Sequence, residues 1–291
     1  MKQCTVSIVG LPNVGKSTFL NKVIGKKVAI VSYKPQTTRN QIKSVYQDKR
    51  IKIMFCDTPG FHEPKNKLDS FLNSQVKQTF KQSDLVLLLI DVTKEQVEEN
   101  KILIDLIKSY KVENLLVLFT KKDLDPNADI QKKLKLYGLE NTKHMFVDNF
   151  NLQDTNNIVS YIYDIAPTDG YFEPLLVESD DFLIKEVIRE KALTLLRQEV
   201  PHSLAVTIDS KTWDKEKQTF FIDASLIVEK ESQKPIVIGA GGKMIKQIGT
   251  KARLELLKTF DCKIVLKLFV KVKEDWRNDE LTLQSLGYFK R

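Results

Sequence analysis

Gly10-Leu11-Pro12-Asn13-Val14-Gly15-Lys16-Ser17 stands near the start of this 291-residue chain, and its reading decides the fold. It follows an alternating β-rich run at residues 4–9 and precedes a helical pattern at 16–24. Gly-x-x-x-x-Gly-Lys-Ser in a strand–loop–helix setting is a phosphate-binding loop. The glycines let the backbone curl so that successive N–H groups face phosphate oxygens, reinforced by the positive end of the helix dipole. Lys16 then reaches the β- and γ-phosphates, and the Ser17 hydroxyl ligates Mg²⁺. Thr18 ends the expected nucleotide-binding run.

Outward from this loop, strand candidates at 42–46, 51–56, 85–91, 115–120 and 145–147 alternate with helical patterns at 68–80, 97–110, 130–137 and 155–165. Residues 85–90 and 115–119 are apolar without alternation, as expected for strands buried on both faces of a parallel sheet. Strand–helix alternation over residues 1–165 predicts an α/β domain with a doubly wound, mostly parallel sheet. Residues 166–181 carry Pro167, Gly170, Pro174 and several acids but no basic residue, and read as a linker. A second domain, 182–291, begins with a helix at 182–199 stopped by Pro201. Strands at 204–209 and 219–228, a strand-like 235–238, a glycine cluster, a helix at 243–260 and a strand at 263–270 make it a small α+β domain.

Apolar residues are 42% and charged residues 29% of the chain, the composition of a soluble globular protein. The longest apolar run, 85–90, is far too short to span a membrane, and no charged-then-apolar leader follows Met1. Cys4, Cys56 and Cys262 are far apart in strand-like segments, which fits neither a zinc site nor a disulfide framework. They are expected to be reduced core residues of a cytoplasmic protein. The net charge of +8 has an address: residues 234–273 hold ten Lys or Arg against two acids, and the rest of the chain sums to zero. So local a basic excess suggests a polyanion site, with nucleic acid the first candidate and a solvated charged face the plain alternative.

Asp57-Thr58-Pro59-Gly60 follows the 51–56 strand. An Asp at a strand's carboxyl end beside a phosphate loop suits an indirect hold on Mg²⁺. The Gly60 N–H can meet the γ-phosphate, and the loop can move when that phosphate leaves. Phe61 stands where many GTPases place a water-orienting Gln, so water must be positioned by something else.

The order of these motifs resembles the translation-factor-type GTPases, and nearly the whole chain resembles the Era family of bacterial ribosome-assembly GTPases. Lys34-Pro35-Gln36-Thr37-Thr38-Arg39 resembles that family's first switch. The resemblance implies that Thr38, with Thr37 as the alternative, completes the Mg²⁺ shell beside Ser17 and Asp57. It also implies a K⁺ ion near Asn13 and catalysis resting on Asn13, Lys16, Thr38 and Gly60. The family's Asn-Lys-x-Asp is here Thr120-Lys121-Lys122-Asp123. Asp123 can still accept from guanine N1–H and the exocyclic amine, and Lys121 can cover the base. Thr120 would lose the amide contact to the base, and its tie to the phosphate loop is left open. The family's Ser-Ala is replaced by Val147-Asp148-Asn149, whose backbone can still serve the guanine O6.

Gly239-Ala240-Gly241-Gly242 ahead of a basic helix resembles the G-x-x-G loop of a bacterial-type (type II) KH domain. Such a loop lets backbone approach a sugar–phosphate chain that a Cβ would obstruct. Lys243, Lys246, Lys251 and Arg253 are the expected phosphate contacts. The family reading implies GTP and GDP, the 3′ end of small-subunit ribosomal RNA and the 30S subunit as partners of a monomer, with peripheral contact to the inner face of the cell membrane left open. The altered base motif keeps two other readings in play: an assembly scaffold that binds nucleotide poorly, and a relaxed NTPase that accepts ATP.

Overall fold

A computed structural model of the chain describes residues 1–31, 34, 37–147, 152–172, 179–197 and 200–288. Its contacts divide into two compact units: Met1–Val31, Thr38–Lys65 and Asp69–Leu175 in the first, and Ser32–Thr37, Asn66–Leu68 and Leu176–Arg291 in the second.

The first fold runs β1 (Lys2–Gly10), α1 (Lys16–Ile24), β2 (Ile42–Gln47), β3 (Ile51–Asp57), α2 (Lys67–Phe80), β4 (Leu85–Asp91), α3 (Val97–Ser109), β5 (Leu115–Thr120), α4 (Ile130–Tyr137), β6 (His144–Val147) and α5 (Leu152–Ile165). The sheet order is β2-β3-β1-β4-β5-β6. All neighbours are parallel except β2, an edge strand antiparallel to β3. The unalternating runs have the expected cause. Leu85, Leu87 and Leu89 point into one core with Leu116 and Leu118, while Val86, Leu88 and Ile90 enter the opposite core with Val117 and Phe119. Parallel pairing of β1 with β3 puts the phosphate loop and the β3 end on one carboxyl rim, where open α/β sheets bind ligands. Of the stretch read as a linker, Ala166 and Phe172 are buried, Phe172 against Met54 and Cys56. Residues 173–178, including Pro174, lie outside the described residues.

The second fold runs α6 (Asp180–Leu195), β7 (Ala205–Asp214), β8 (Thr219–Val228), α7 (Lys234–Ile238), α8 (Lys243–Phe260), β9 (Lys263–Val272) and α9 (Glu280–Leu286). Its sheet, β7-β8-β9, pairs β8 with β7 antiparallel and with β9 parallel. Ile188, Ala192, Leu226, Val237, Ile248 and Leu256 belong to one core beneath the helices.

Two sequence expectations are corrected here. Residues 235–238 form the short helix α7 rather than a strand, because Pro235 suits a first helical turn and Val237 is buried in the core. The first helix ends at Leu195, four residues before the expected end. Cys4 and Cys56 are buried, whereas Cys262 is only half-buried. Among the described residues no helix is long and apolar enough to cross a membrane.

Candidate nucleotide and RNA sites

The phosphate loop bends out of β1 into the first turn of α1. Lys16 is buried, and its ammonium donates to the carbonyls of Gly10 at 3.1 Å and Leu11 at 2.9 Å. Burial pushes this amine down to about 8 while the Asp57 charge pulls it back up. A cation held inside a loop of backbone donors is built to receive phosphate. Asn13 sits in the left-handed region at φ 65°, and Thr18 is half-buried one residue beyond Ser17.

Three expected cation residues converge. Ser17 Oγ donates to Asp57 Oδ2 at 2.6 Å and lies 2.9 Å from Thr38 Oγ1. The single Ser17 proton goes to the carboxylate, so Thr38 donates to Ser17. Thr37 is turned elsewhere, with its hydroxyl donating to the Lys34 carbonyl at 2.6 Å. Asp57 is fully buried, and burial pushes its carboxyl up to about 6 against the pull of Lys16 and the Ser17 hydroxyl. Its Oδ1 is buried without a hydrogen-bond partner among the described residues. An ionised oxygen left this way is costly unless something approaches it.

Gly60 packs directly under the phosphate loop: a Cβ there would lie 2.8 Å from Pro12 Cα. Phe61 N–H donates to the Gly10 carbonyl at 3.1 Å, and its ring is buried in the core that holds Val76 and Phe80. The ring therefore takes no part in the site.

At the base-reading motif the open question about Thr120 is answered. Its buried hydroxyl donates to the Val14 carbonyl at 2.8 Å, so the tie between β5 and the phosphate loop is present. Lys121 adds a second tie, donating to the Asn13 carbonyl at 3.0 Å and to Asp91 Oδ2 at 2.6 Å. Asp123 is exposed in the following turn. Asp148 and Asn149 lie outside the described residues.

Asp91 is the residue that sequence reasoning missed. Its side chain is 1% exposed, and it accepts from the Thr93 N–H and hydroxyl as well as from Lys121. Burial alone would raise its carboxyl, but the Lys121 and Thr93 donors outweigh burial and hold it below the usual range. The available signal was an Asp at the carboxyl end of β4, one strand away from Lys121, which directly follows β5.

In the second unit the glycine loop joins α7 to α8. Gly239, Gly241 and Gly242 have φ of 71°, 58° and 75°, and a Cβ on Gly239 would lie 2.6 Å from Met244 Cβ. Only glycine follows this path cheaply. Beyond the loop a groove runs between α8 and the edge strand β9, floored by Ile245, Gly249, Leu266 and Leu268 and flanked by Lys246 and Arg253. Lys243 and Ala240 are exposed at its loop end. Lys251 is exposed on α8 and is not among the residues that line this groove. Ile245 both packs against the core and lines the groove, while Ile248 is wholly core.

Comparison with known proteins finds a family match in each half of the chain. Residues 5–121 match the model of a family described as 50S ribosome-binding GTPase, and residues 199–277 match the KH domain. GTPase Era of Ureaplasma urealyticum serovar 10 is 42% identical, covering 97% of this chain and 96% of that protein. GTPase Era of a Clostridium botulinum strain is 36% identical, covering 98% and 97%. Among solved structures, Era in complex with MgGDPNP and nucleotides 1506–1542 of 16S ribosomal RNA matches with a TM-score of 0.88 at 33% identity, covering 99% of both chains. A substituted Era of Aquifex aeolicus bound to GDP·AlF₄⁻ matches with a TM-score of 0.88 at 32% identity, again over 99% of both. Full-length identity at this level, with a GTPase unit followed by a KH unit, shows that the chain belongs to the Era family of GTPases.

Proposed function

We propose that this GTPase is a nucleotide-driven switch that binds the 3′ end of small-subunit ribosomal RNA and assists assembly of the 30S subunit. The observation that carries this reading is the Era structure that holds MgGDPNP and 16S RNA together, alike to this chain over 99% of both. The RNA in that complex is from the small subunit, which favours it over the large-subunit wording of the family description.

The residues present fit Mg²⁺. Ser17 and Thr38 offer hydroxyl oxygens as ligands, and the unpartnered Asp57 Oδ1 suits a water of a hydrated cation. When bound, Mg²⁺ neutralises charge on the β- and γ-phosphates. Gly10 to Thr18 bind the polyphosphate, with Lys16 leaving its carbonyl partners for phosphate oxygens. The Gly60 N–H meets the γ-phosphate, and release of that phosphate frees the loop. Because Phe61 is in the core, water would be positioned by backbone, and Asn13 would hold a K⁺ ion that could supply the missing charge. Asp123 discriminates guanine by accepting from two donors that adenine lacks. Backbone at Asp148 and Asn149 serves the base O6.

Gly239, Ala240, Gly241 and Gly242 bring backbone against the RNA chain, with Lys243, Lys246 and Arg253 on phosphates and Lys251 adding to the local field from outside the groove. In this reading the protein works as a monomer in the cytoplasm, and vesicle flotation decides whether it also touches the inner face of the cell membrane.

The Thr120–Val14 tie weighs against the scaffold that binds nucleotide poorly. Turnover of GTP against ATP tests the whole reading. GTP alone should be hydrolysed. Hydrolysis of both would favour the relaxed NTPase, and hydrolysis of neither the scaffold.

A further inference from the structure

The loop after Gly60 carries a histidine to which no role has yet been given. Both His62 ring nitrogens face oxygen. Nδ1 lies 3.0 Å from the Gly60 carbonyl, and Nε2 lies 3.3 Å from Asp69 Oδ1. A carbonyl oxygen only accepts, so Nδ1 carries a proton. The Asp69 side chain is 2% exposed on the first turn of α2, and its other oxygen accepts from the Lys65 N–H at 3.0 Å. An ionised carboxylate also only accepts, so Nε2 carries a proton as well. A neutral imidazole has one N–H and satisfies one of these oxygens. Only the imidazolium satisfies both.

We propose that His62 is a positioning residue for GTP hydrolysis: as an imidazolium it ties the Gly60 carbonyl to Asp69 and so holds the loop that presents the Gly60 N–H to the γ-phosphate. This rests on the role assigned to Gly60 above. The tie is reinforced from α2, where Asn73 Nδ2 donates to the His62 carbonyl at 2.7 Å. The loop is thus fastened at the His62 ring and backbone to the helix it leads into. Any side chain at Gly60 would collide with Pro12 of the phosphate loop.

Among the described residues, the charged groups acting on the ring are Asp69 of α2 and Lys65 of the connecting segment. The Asp69 hydrogen bond raises the imidazole above the ordinary histidine value. Burial and the Lys65 charge oppose it, and the Gly60 carbonyl and Asp69 charge add to it. The sign follows: the tie is complete at low pH and is lost as pH rises through this raised value.

The test uses the full-length chain with ¹⁵N-labelled histidine, of which there are three. His62 should keep both nitrogens protonated to a higher pH than an ordinary histidine. The GTP hydrolysis rate at saturating GTP and Mg²⁺ should fall with the same midpoint. Asp69→Asn should move that midpoint down, because an amide can donate to a neutral ring. His62→Gln should remove the pH-dependent limb and slow hydrolysis about tenfold at low pH, with GDP affinity within twofold of the parent, which also shows that the variant is folded. A singly protonated ring at pH 6.5 would overturn the proposal, as would a His62→Gln profile that superimposes on the parent. Normal hydrolysis by Gly60→Pro, which has no backbone N–H, would instead defeat the γ-phosphate reading of the loop, a separate failure that leaves the titration of the ring intact.

Discussion

Thr120→Ala isolates the departure that most sets this chain apart from the family motif. The hydroxyl is 2% exposed and donates to the Val14 carbonyl at 2.8 Å, with the Ile90 carbonyl 3.4 Å away. Removing it deletes one buried hydrogen bond and takes this donor from the Val14 carbonyl. Such losses cost about 1–2 kcal/mol. If the phosphate loop is ordered chiefly when nucleotide is bound, most of that cost appears as lost affinity, about 5–30-fold. Because the bond holds the loop and not the base, GDP, GTP and ATP should weaken together and the ratio between GTP and ATP should hold. Thr120→Ser, which keeps the donor, should bind within about twofold of the parent. Titration of fluorescent GDP, with GTP and ATP as competitors, reads all three quantities. Unchanged affinity in Thr120→Ala would refute the tie, and a change confined to guanine discrimination would place Thr120 at the base instead.

Asp91→Ala should weaken GDP binding by about 1 kcal/mol by freeing Lys121, while Asp91→Asn, which still accepts, should lose less; equal losses in a GDP titration would deny Asp91 its positioning role. Asp123→Asn should shift preference from guanine toward xanthine nucleotides by a few kcal/mol at most, and unchanged GTP affinity would show that the base is read elsewhere. Hydrolysis should need Mg²⁺ and run faster in K⁺ than in Na⁺, since the Phe61 ring is in the core; equal single-turnover rates in the two salts would remove the charge assigned beside Asn13.

What was legible in the sequence followed from strong, local constraints. The phosphate loop announces itself because only glycine and lysine at that spacing serve the chemistry. The unalternating runs at 85–90 and 115–119 report two buried faces, and the structure places their odd and even residues in opposite cores. The misread pieces are those where local preference and tertiary setting disagree. Pro235-Ile236-Val237-Ile238 has the β-branched look of a strand, yet its five-residue helix is held by Val237 in the core and by the glycine loop after it. Helix α9 is seven residues long, too short for its period to stand out. The Thr120 tie depends on a distance across three dimensions that no spacing encodes. That Lys246 and Arg253 line one groove while Lys251 does not is set by their directions around α8, which the spacing alone does not show. His62 and Asp69 are seven residues apart, and only the turn into α2 makes them a pair.

The central claim is that nucleotide state and RNA binding belong to one switch. Its most direct measurement is a titration of single-stranded RNA from the 3′ end of small-subunit ribosomal RNA against the full chain loaded with Mg²⁺ and either GDPNP or GDP, at one fixed salt concentration. Lys246→Glu combined with Arg253→Glu serves as the control that removes RNA binding alone, since both side chains flank the groove of the second unit and neither position strains the backbone. The account predicts tighter RNA binding with GDPNP by about 1–3 kcal/mol, and an equal tightening of GDPNP by RNA. Identical RNA affinities in the two states would contradict it and leave two domains that merely share a chain.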